Sequence, residues 1–566
     1  MITTSASLLT LVFLTSITSS QTLETNQAVT LSADTLITNA QIYTMDATSP
    51  WANTLAIKAG EIIYVGGAKE ANALVDNDTA VHNLGGQMVL PGLHDVHIHP
   101  LESASDATHF SVPGAGSIKD YQDAVRAARQ QHPEASWLIG YGHHIDTLLE
   151  MAANPKEVID AVVDDRAVLI MEQTSHSMWA NSKALQLAGI VPTSKNPVGG
   201  VIGRDSSGEL NGILYDNAGN QVMDVAMHSQ GDEMVQNYDG FVEYTQPTLL
   251  AHGVTAISDA RVYWQRGQLD TWLQLEADDA LTMRVSLSLW AYPELDDDKQ
   301  IAALASLYQV APDSLLKVDQ IKLYMDGILI NTTAALKQPY HLNWLGLKDN
   351  IGLNYFSQAR LQKYIAALAP MGFDFNIHTI GDRGVHEALN AIEAVSHKGA
   401  RHRLTHVEMI DDKDIPRFAK LKVIADAQVA GDFANPEHWP DMIPLIGKQR
   451  AAKLIPIKAL VEQGARLTLS SDWNVSSLNP FVGIANAISR EPEAISLHQA
   501  LAAYTINGAY AMRQEHLVGS LEVGKRADFI VLPKNLFTLS AAQIRSIQVL
   551  ETWLEGRQVY KAEVSN

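Results

Sequence analysis

The pattern of apolar and polar positions changes twice along the chain. Residues 35–66 alternate between the two, as TLITNAQIYTMD and then LAIKAGEIIYVGG, with turn residues between them. A period of two marks strands with one buried face, so both stretches predict a small sheet. The far end repeats the pattern in GSLEVGKRADFIVL (519–532) and SIQVLETWLEGRQVY (546–560). Between the ends, short apolar runs at 88–99, 253–260, 282–292, 321–327, 373–381, 403–409, 422–429 and 466–472 alternate with helical-period stretches such as 364–371 and 384–397. Eight strands alternating with helices predict an α/β fold, a (β/α)8 TIM barrel, over 87–514. The alternating ends predict a β-sandwich domain made from both termini, over 21–86 and 515–566. Residues 105–250 are too long for one crossover and predict an insertion that roofs the barrel mouth.

Composition narrows the chemistry. Of 566 residues, 46% are hydrophobic, enough for a large core and against global disorder. Lys plus Arg number 41 and Asp plus Glu 63, a net charge of −22, which argues against a nucleic-acid partner. No cysteine is present, which excludes disulfides, thiolate-held zinc, iron–sulfur clusters and thiol nucleophiles. A metal must then be held by His, Asp, Glu or a modified Lys. Residues 1–20 carry no charged side chain, have an apolar run at Leu8–Leu14, and end in a small-x-small site at Thr18 and Ser20. They read as a signal peptide, predicting an exported protein, periplasmic or secreted. No later apolar stretch has the length of a membrane span.

Five ligand-type residues fall at the ends of predicted strands. His97 and His99 are two apart and share a face of strand 1. His378 ends strand 5, His406 ends strand 6, and Asp472 ends strand 8. Strand ends of an α/β barrel converge on one mouth, where active sites are built. Imidazoles and a carboxylate meeting there suit a divalent metal. Asp95 is placed to orient a metal-bound imidazole.

PGLHDVHIH, the isolated later histidines, the SSD at 470–472 and GSLEVGKRADFIVL together resemble the amidohydrolase superfamily of metal-dependent hydrolases. IKLYMDGILINTTAALKQPY (321–340), WANSKALQLAGI (179–190) and GGVIGRDSSGELNGIL (199–214) are similar to the branch containing N-substituted formamide deformylase and exoenzyme-regulator-type proteins. The resemblance implies two divalent ions, with zinc suiting the donors, bridged by Lys322 on strand 4 after its carboxylation by carbon dioxide. It implies that His97, His99 and Asp472 hold one ion and His378 and His406 the other, and that Asp472 serves as general base and then acid toward a metal-bound hydroxide. The expected reaction is cleavage of a C–N bond in a small amide-type substrate. His176, Tyr141 and Gln428 are candidate substrate contacts, and His143 predicts a more polar pocket. Two alternatives stay open: a mononuclear deaminase of the same superfamily, and a secreted binding or regulatory protein without catalysis. A homo-oligomer is compatible with either.

Overall fold

The computed structural model describes residues 32–563 apart from 107–108, 231–232 and 396. The signal-peptide reading of residues 1–20 lies outside the described residues. The central sheet contains eight parallel strands in sequence order: Leu93–Ile98, Val254–Val262, Arg284–Trp290, Leu316–Tyr324, Asp374–Thr379, Arg403–His406, Ile424–Gln428 and Leu467–Ser470. They are strands 1 to 8 below. All are buried along their length, as expected where side chains fill a barrel on one face and helices cover the other. The seam between strands 1 and 8 is joined at the mouth by backbone bonds from Asp472 N to His97 O and from His99 N to Trp473 O, each 2.8 Å.

Strand 4 starts earlier than the apolar run beginning at residue 321 indicates. Lys317 and Asp319 hide its beginning from a hydrophobicity reading, yet both are buried. Asp319 accepts a hydrogen bond from Ser286 on strand 3, so the charge is satisfied inside the barrel wall.

Two sheets flank the barrel's N-terminal end. One is built from Thr35–Thr38, Thr54–Lys58, Glu61–Gly66 and Ala80–Asn83. The other joins Gln41–Tyr43, Trp51–Ala52 and Met88–Pro91 to Phe529–Leu532, Glu551–Leu554 and Arg557–Lys561. Ile37, Leu55, Ile57 and Val89 from one end of the chain share a core with Phe529, Val531 and Trp553 from the other. Phe529 and Trp553 stack at 5.2 Å.

The segment after strand 1 forms a six-stranded sheet of its own, from Phe110–Ser111 to Leu210–Asp216. Alternate residues serve opposite faces: Leu138, Val168 and Ile170 enter one core, and Trp137, Ile139 and Leu169 the other. Helices Asn217–Gln230, Glu233–Gly240 and Gln246–Ala251 return the chain to strand 2. Among the described residues, no helix is long and apolar enough to cross a membrane.

Candidate metal centre

The strand ends bring the expected residues together. His99 Nε2 lies 3.0 Å and His97 Nε2 3.4 Å from Asp472 Oδ1. Donor atoms of His97, His99 and Asp472 all lie within 4.8 Å of one another. Lys322 Nζ is 3.3 Å from His97 Nε2. The His406 ring sits 4.9 Å from that of His97 and 4.4 Å from that of His378, which completes the group of six. His406 and Asp472 have φ of 74° and 53°. A left-handed conformation costs a side-chain-bearing residue energy, and such strain gathers where geometry must be held for function.

The hydrogen-bond inventory shows which nitrogens are free for a metal. His378 Nε2 is 3.2 Å from Gly327 O. A carbonyl can only accept, so Nε2 carries the proton and Nδ1 keeps its lone pair. That Nδ1 is buried without a hydrogen-bond partner among the described residues, as is His99 Nδ1. A buried polar atom left bare costs about 1–3 kcal/mol unless something binds it. The His97 and His99 imidazoles grouped with the Asp472 carboxylate, and the bare Nδ1 of His378, form a donor set that fits a divalent cation.

Electrostatics point the same way. Burial pushes the Lys322 amine well below its ordinary value. Burial also holds His97 and His378 far down, so their rings are neutral, the form that coordinates metal. At Asp472 burial opposes the charge, but the neighbouring His97 and His99 outweigh it and hold the carboxyl well below its ordinary range.

Beneath this layer lies a support that pattern reading missed. His97 Nδ1 meets Thr405 Oγ1 at 2.8 Å, and Thr405 donates to Asp426 Oδ2 at 2.6 Å. Asp426 also accepts from Thr468 Oγ1 at 2.8 Å and from Ser470 Oγ at 2.9 Å. The only sequence signal was a single carboxylate inside the apolar run of strand 7. Asp95 has a different task from the one expected of it. Its Oδ1 accepts the backbone N–H groups of His97 at 3.3 Å and Ser471 at 3.1 Å, so it ties strand 1 to strand 8 and leaves the imidazole to Thr405.

The loops after strands 4 and 5 are clamped behind His378. Asp326 accepts backbone N–H groups from Ala335 and Gly381, both at 2.8 Å, and from Ile380 at 3.0 Å. Gly381 is needed there, because a Cβ would fall 2.0 Å from Ala335 O.

The candidate substrate contacts separate. His176, on the insertion, reaches the centre: its ring is 5.1 Å from that of His378, and its Nδ1 is 2.7 Å from Asp216 Oδ1. Tyr141 donates its hydroxyl to Gln173 O at 2.9 Å and so braces the loop that carries His176. Gln428 is turned into the support, with Nε2 2.8 Å from Ser470 Oγ and 3.0 Å from Asp426 Oδ2. The polar pocket expected from His143 is not found at that residue. His143 is fully buried against Trp179 at 6.0 Å, because its strand is covered on both faces. Trp179 and Asn181 pack and cap, Trp179 donating to Pro155 O and Asn181 accepting from Ala184 N, each at 2.9 Å.

An eight-stranded barrel with histidines and an aspartate at its strand ends defines the class of metal-dependent hydrolases. A model of the Amidohydrolase family matches residues 80–560, and the chain belongs to that family. Protein LONG AFTER FAR-RED 3 of Arabidopsis thaliana is 29% identical over 560 residues, covering 93% of this chain and 92% of its own length. N-substituted formamide deformylase of Arthrobacter pascens is 26% identical over 550 residues, covering 92% and 97%. The crystal structure of an uncharacterized metal-dependent hydrolase from Pyrococcus horikoshii superposes with a TM-score of 0.71 at 23% identity, covering 90% of this chain and 99% of its own.

Proposed function

We propose that this hydrolase cleaves the C–N bond of a small, uncharged amide, using two divalent ions. The observation that carries the reading is the bare Nδ1 of His378, whose ring lies 4.4 Å from that of His406, together with Lys322 at 3.3 Å from His97. His97, His99 and Asp472 would hold one ion and His378 and His406 the other. Lys322 would bridge them as a carbamate. Burial favours the neutral form of its amine, the form that attacks carbon dioxide, and the product is an anion with two oxygens. The donor set suits zinc. Such ions supply a water that ionises near neutral pH and a Lewis acid for the carbonyl.

The chain's own groups complete the chemistry. Asp472 takes the proton of the attacking water at its carboxylate and passes it to the leaving nitrogen. Asp216 accepts from His176 Nδ1, so a neutral His176 presents an Nε2 lone pair to a substrate N–H. Arg261, whose charge is felt at His99 and Lys322, is already engaged, since it is paired with Glu102 at 2.6 Å. That pairing favours an amide without a carboxylate. The name of the Arthrobacter relative, a deformylase of N-substituted formamides, agrees with such a substrate. Lys322 at 3.3 Å from His97 weighs against the mononuclear deaminase. We extend the proposal to export, on the character of residues 1–20; N-terminal sequencing of the mature protein would begin near Gln21.

The test is metal analysis of gently purified protein, followed by assay against N-substituted formamides, hydantoins, carbamates and N-acyl amino acids. About two ions per chain and turnover of the uncharged amides are expected. Fewer than about one ion per chain defeats the two-ion reading. Inactivity of metal-replete protein on the whole set favours the non-catalytic alternative.

A further inference from the structure

Lys322 and Tyr324 leave strand 4 on the same face, because residues two apart in a strand share a side. The Tyr324 ring lies nearly parallel to His378, at 4.1 Å and 22°, and to His176, at 5.5 Å and 20°. Trp290, at the end of strand 3, meets it edge-on at 4.8 Å. The phenol therefore crosses the mouth from strand 4 toward strand 2, where its oxygen lies 2.7 Å from Arg261 Nη1. Arg261 is itself fixed by Glu102, with Nε 3.1 Å from Oε1 and Nη2 2.6 Å from Oε2.

This chain of contacts has a direction. A guanidinium can only donate, so the Tyr324 oxygen accepts and its own proton stays free. Among the described residues, no group accepts that proton. A cation on the acceptor side polarises the O–H bond and strengthens it as a donor. Every member is braced before substrate arrives: the arginine by a carboxylate, the ring by two imidazoles and an indole. A fixed, polarised donor at the edge of a metal centre is the arrangement that stabilises an oxyanion without reorganisation.

We propose that Tyr324 is a catalytic residue whose hydroxyl donates to the carbonyl oxygen of the bound amide, and that Arg261 and Glu102 are its positioning residues. The inference rests on the amide-hydrolase reading above. As water adds to the carbonyl carbon, the π pair moves onto oxygen and the Tyr324 hydrogen bond shortens; the O–H bond is not broken. As the intermediate collapses, the pair re-forms C=O and the C–N bond breaks. The nitrogen leaves with the proton that Asp472 took from water, and the remaining proton of that water passes from the new acid to the released amine, giving a carboxylate and an ammonium ion.

The test is Tyr324→Phe, which keeps the ring and removes the hydroxyl. With metal-loaded enzyme and N-butylformamide, kcat is expected to fall about 10²–10³-fold, with KM within threefold, metal content unchanged and melting temperature unchanged. Binding of methylphosphonate, a tetrahedral oxyanion, should weaken at least tenfold. A variant with wild-type kcat and wild-type methylphosphonate affinity overturns the proposal. So does a loss of kcat that tracks lost metal or lost stability, which would make Tyr324 a structural support. If the wild type binds two ions but hydrolyses no amide, the amide reading fails on its own; the methylphosphonate comparison then still decides whether the hydroxyl faces an oxyanion.

Discussion

Two polar layers lie one above the other inside the barrel, and they are built on opposite principles. In the lower layer the hydroxyls and side-chain amides are pointed at acceptors. Asp426 gathers Thr405, Thr468, Ser470 and Gln428 around one carboxylate. Below it, Gln320 Oε1 takes Arg403 Nη2 at 2.9 Å and the Ser258 and Ser288 hydroxyls at 3.2 Å. In the upper layer the Nδ1 atoms of His99 and His378 are left bare. The saturated layer fixes where strands 2, 3, 4, 6, 7 and 8 sit, and the unsaturated layer uses that rigidity. A ligand set held open needs a closed network beneath it, because bare groups contribute nothing to holding themselves in place.

Substitutions should divide along this line. Asp472→Asn, in the open layer, is expected to lower kcat by at least about 10³-fold, since it removes a ligand and the proton carrier together. Its melting temperature should not fall, because asparagine tolerates the left-handed backbone at φ 53° better than most residues. A variant that unfolds would erase the contrast between layers. Lys322→Met should reduce the metal count from about two per chain to one or fewer, and kcat by about 10²-fold or more. Full activity and metal content in that variant would remove the bridging role. Asp426→Asn, in the closed layer, should do the reverse of Asp472→Asn. It strands hydroxyl donors in the interior and should cost about 2–3 kcal/mol in chemical denaturation, while metal affinity drops about 10–100-fold through the loosened His97 ring. If stability is unchanged, the lower layer is not the support described.

The smallest effect separates bareness from convergence. His143, in the insertion, has both ring nitrogens buried and bare, yet among the described residues it belongs to no group of three ligand-type side chains. Burial lowers its pKa to about 3 from an ordinary 6.5. Folding therefore holds it neutral, and the unfolded chain takes up its proton first as pH falls. The stability this represents is complete above pH 6.5 and is lost progressively as pH falls toward 3. Between pH 6.5 and 5 the loss is about 2 kcal/mol, and His143→Phe should flatten the stability–pH curve by one proton without touching metal content. An unchanged slope would show that His143 is not held neutral.

The barrel was legible because each inner strand is a short apolar run between turns, and the candidate ligands other than Lys322 because each stands where such a run stops. Lys322 was recovered through family resemblance alone; by pattern it is an ordinary lysine in a strand. The supporting layer was invisible for a physical reason. Thr405, Asp426, Thr468 and Ser470 come from three strands, and they share nothing until the sheet curls and brings their side chains inward. Arg261, Glu102 and Tyr324 were missed for the same reason. Gln428 and His143 show the converse error, since a polar residue near the mouth in sequence can point down or away from it. The insertion announced itself by length, while its two-faced sheet was overlooked because both faces are apolar and read as undifferentiated core.

The seam has a further consequence for how the molecule comes into being. Asp472 reaches His97 only when the last strand closes against the first, through the bond from its own amide to the His97 carbonyl. A ribosome has then already delivered more than four-fifths of the polypeptide. In the proposed centre, the ion assigned to His97, His99 and Asp472 gains its full set of ligands only once the ring is shut. A chain truncated before its eighth strand would keep all four imidazoles and lack the one carboxylate that draws two of them together.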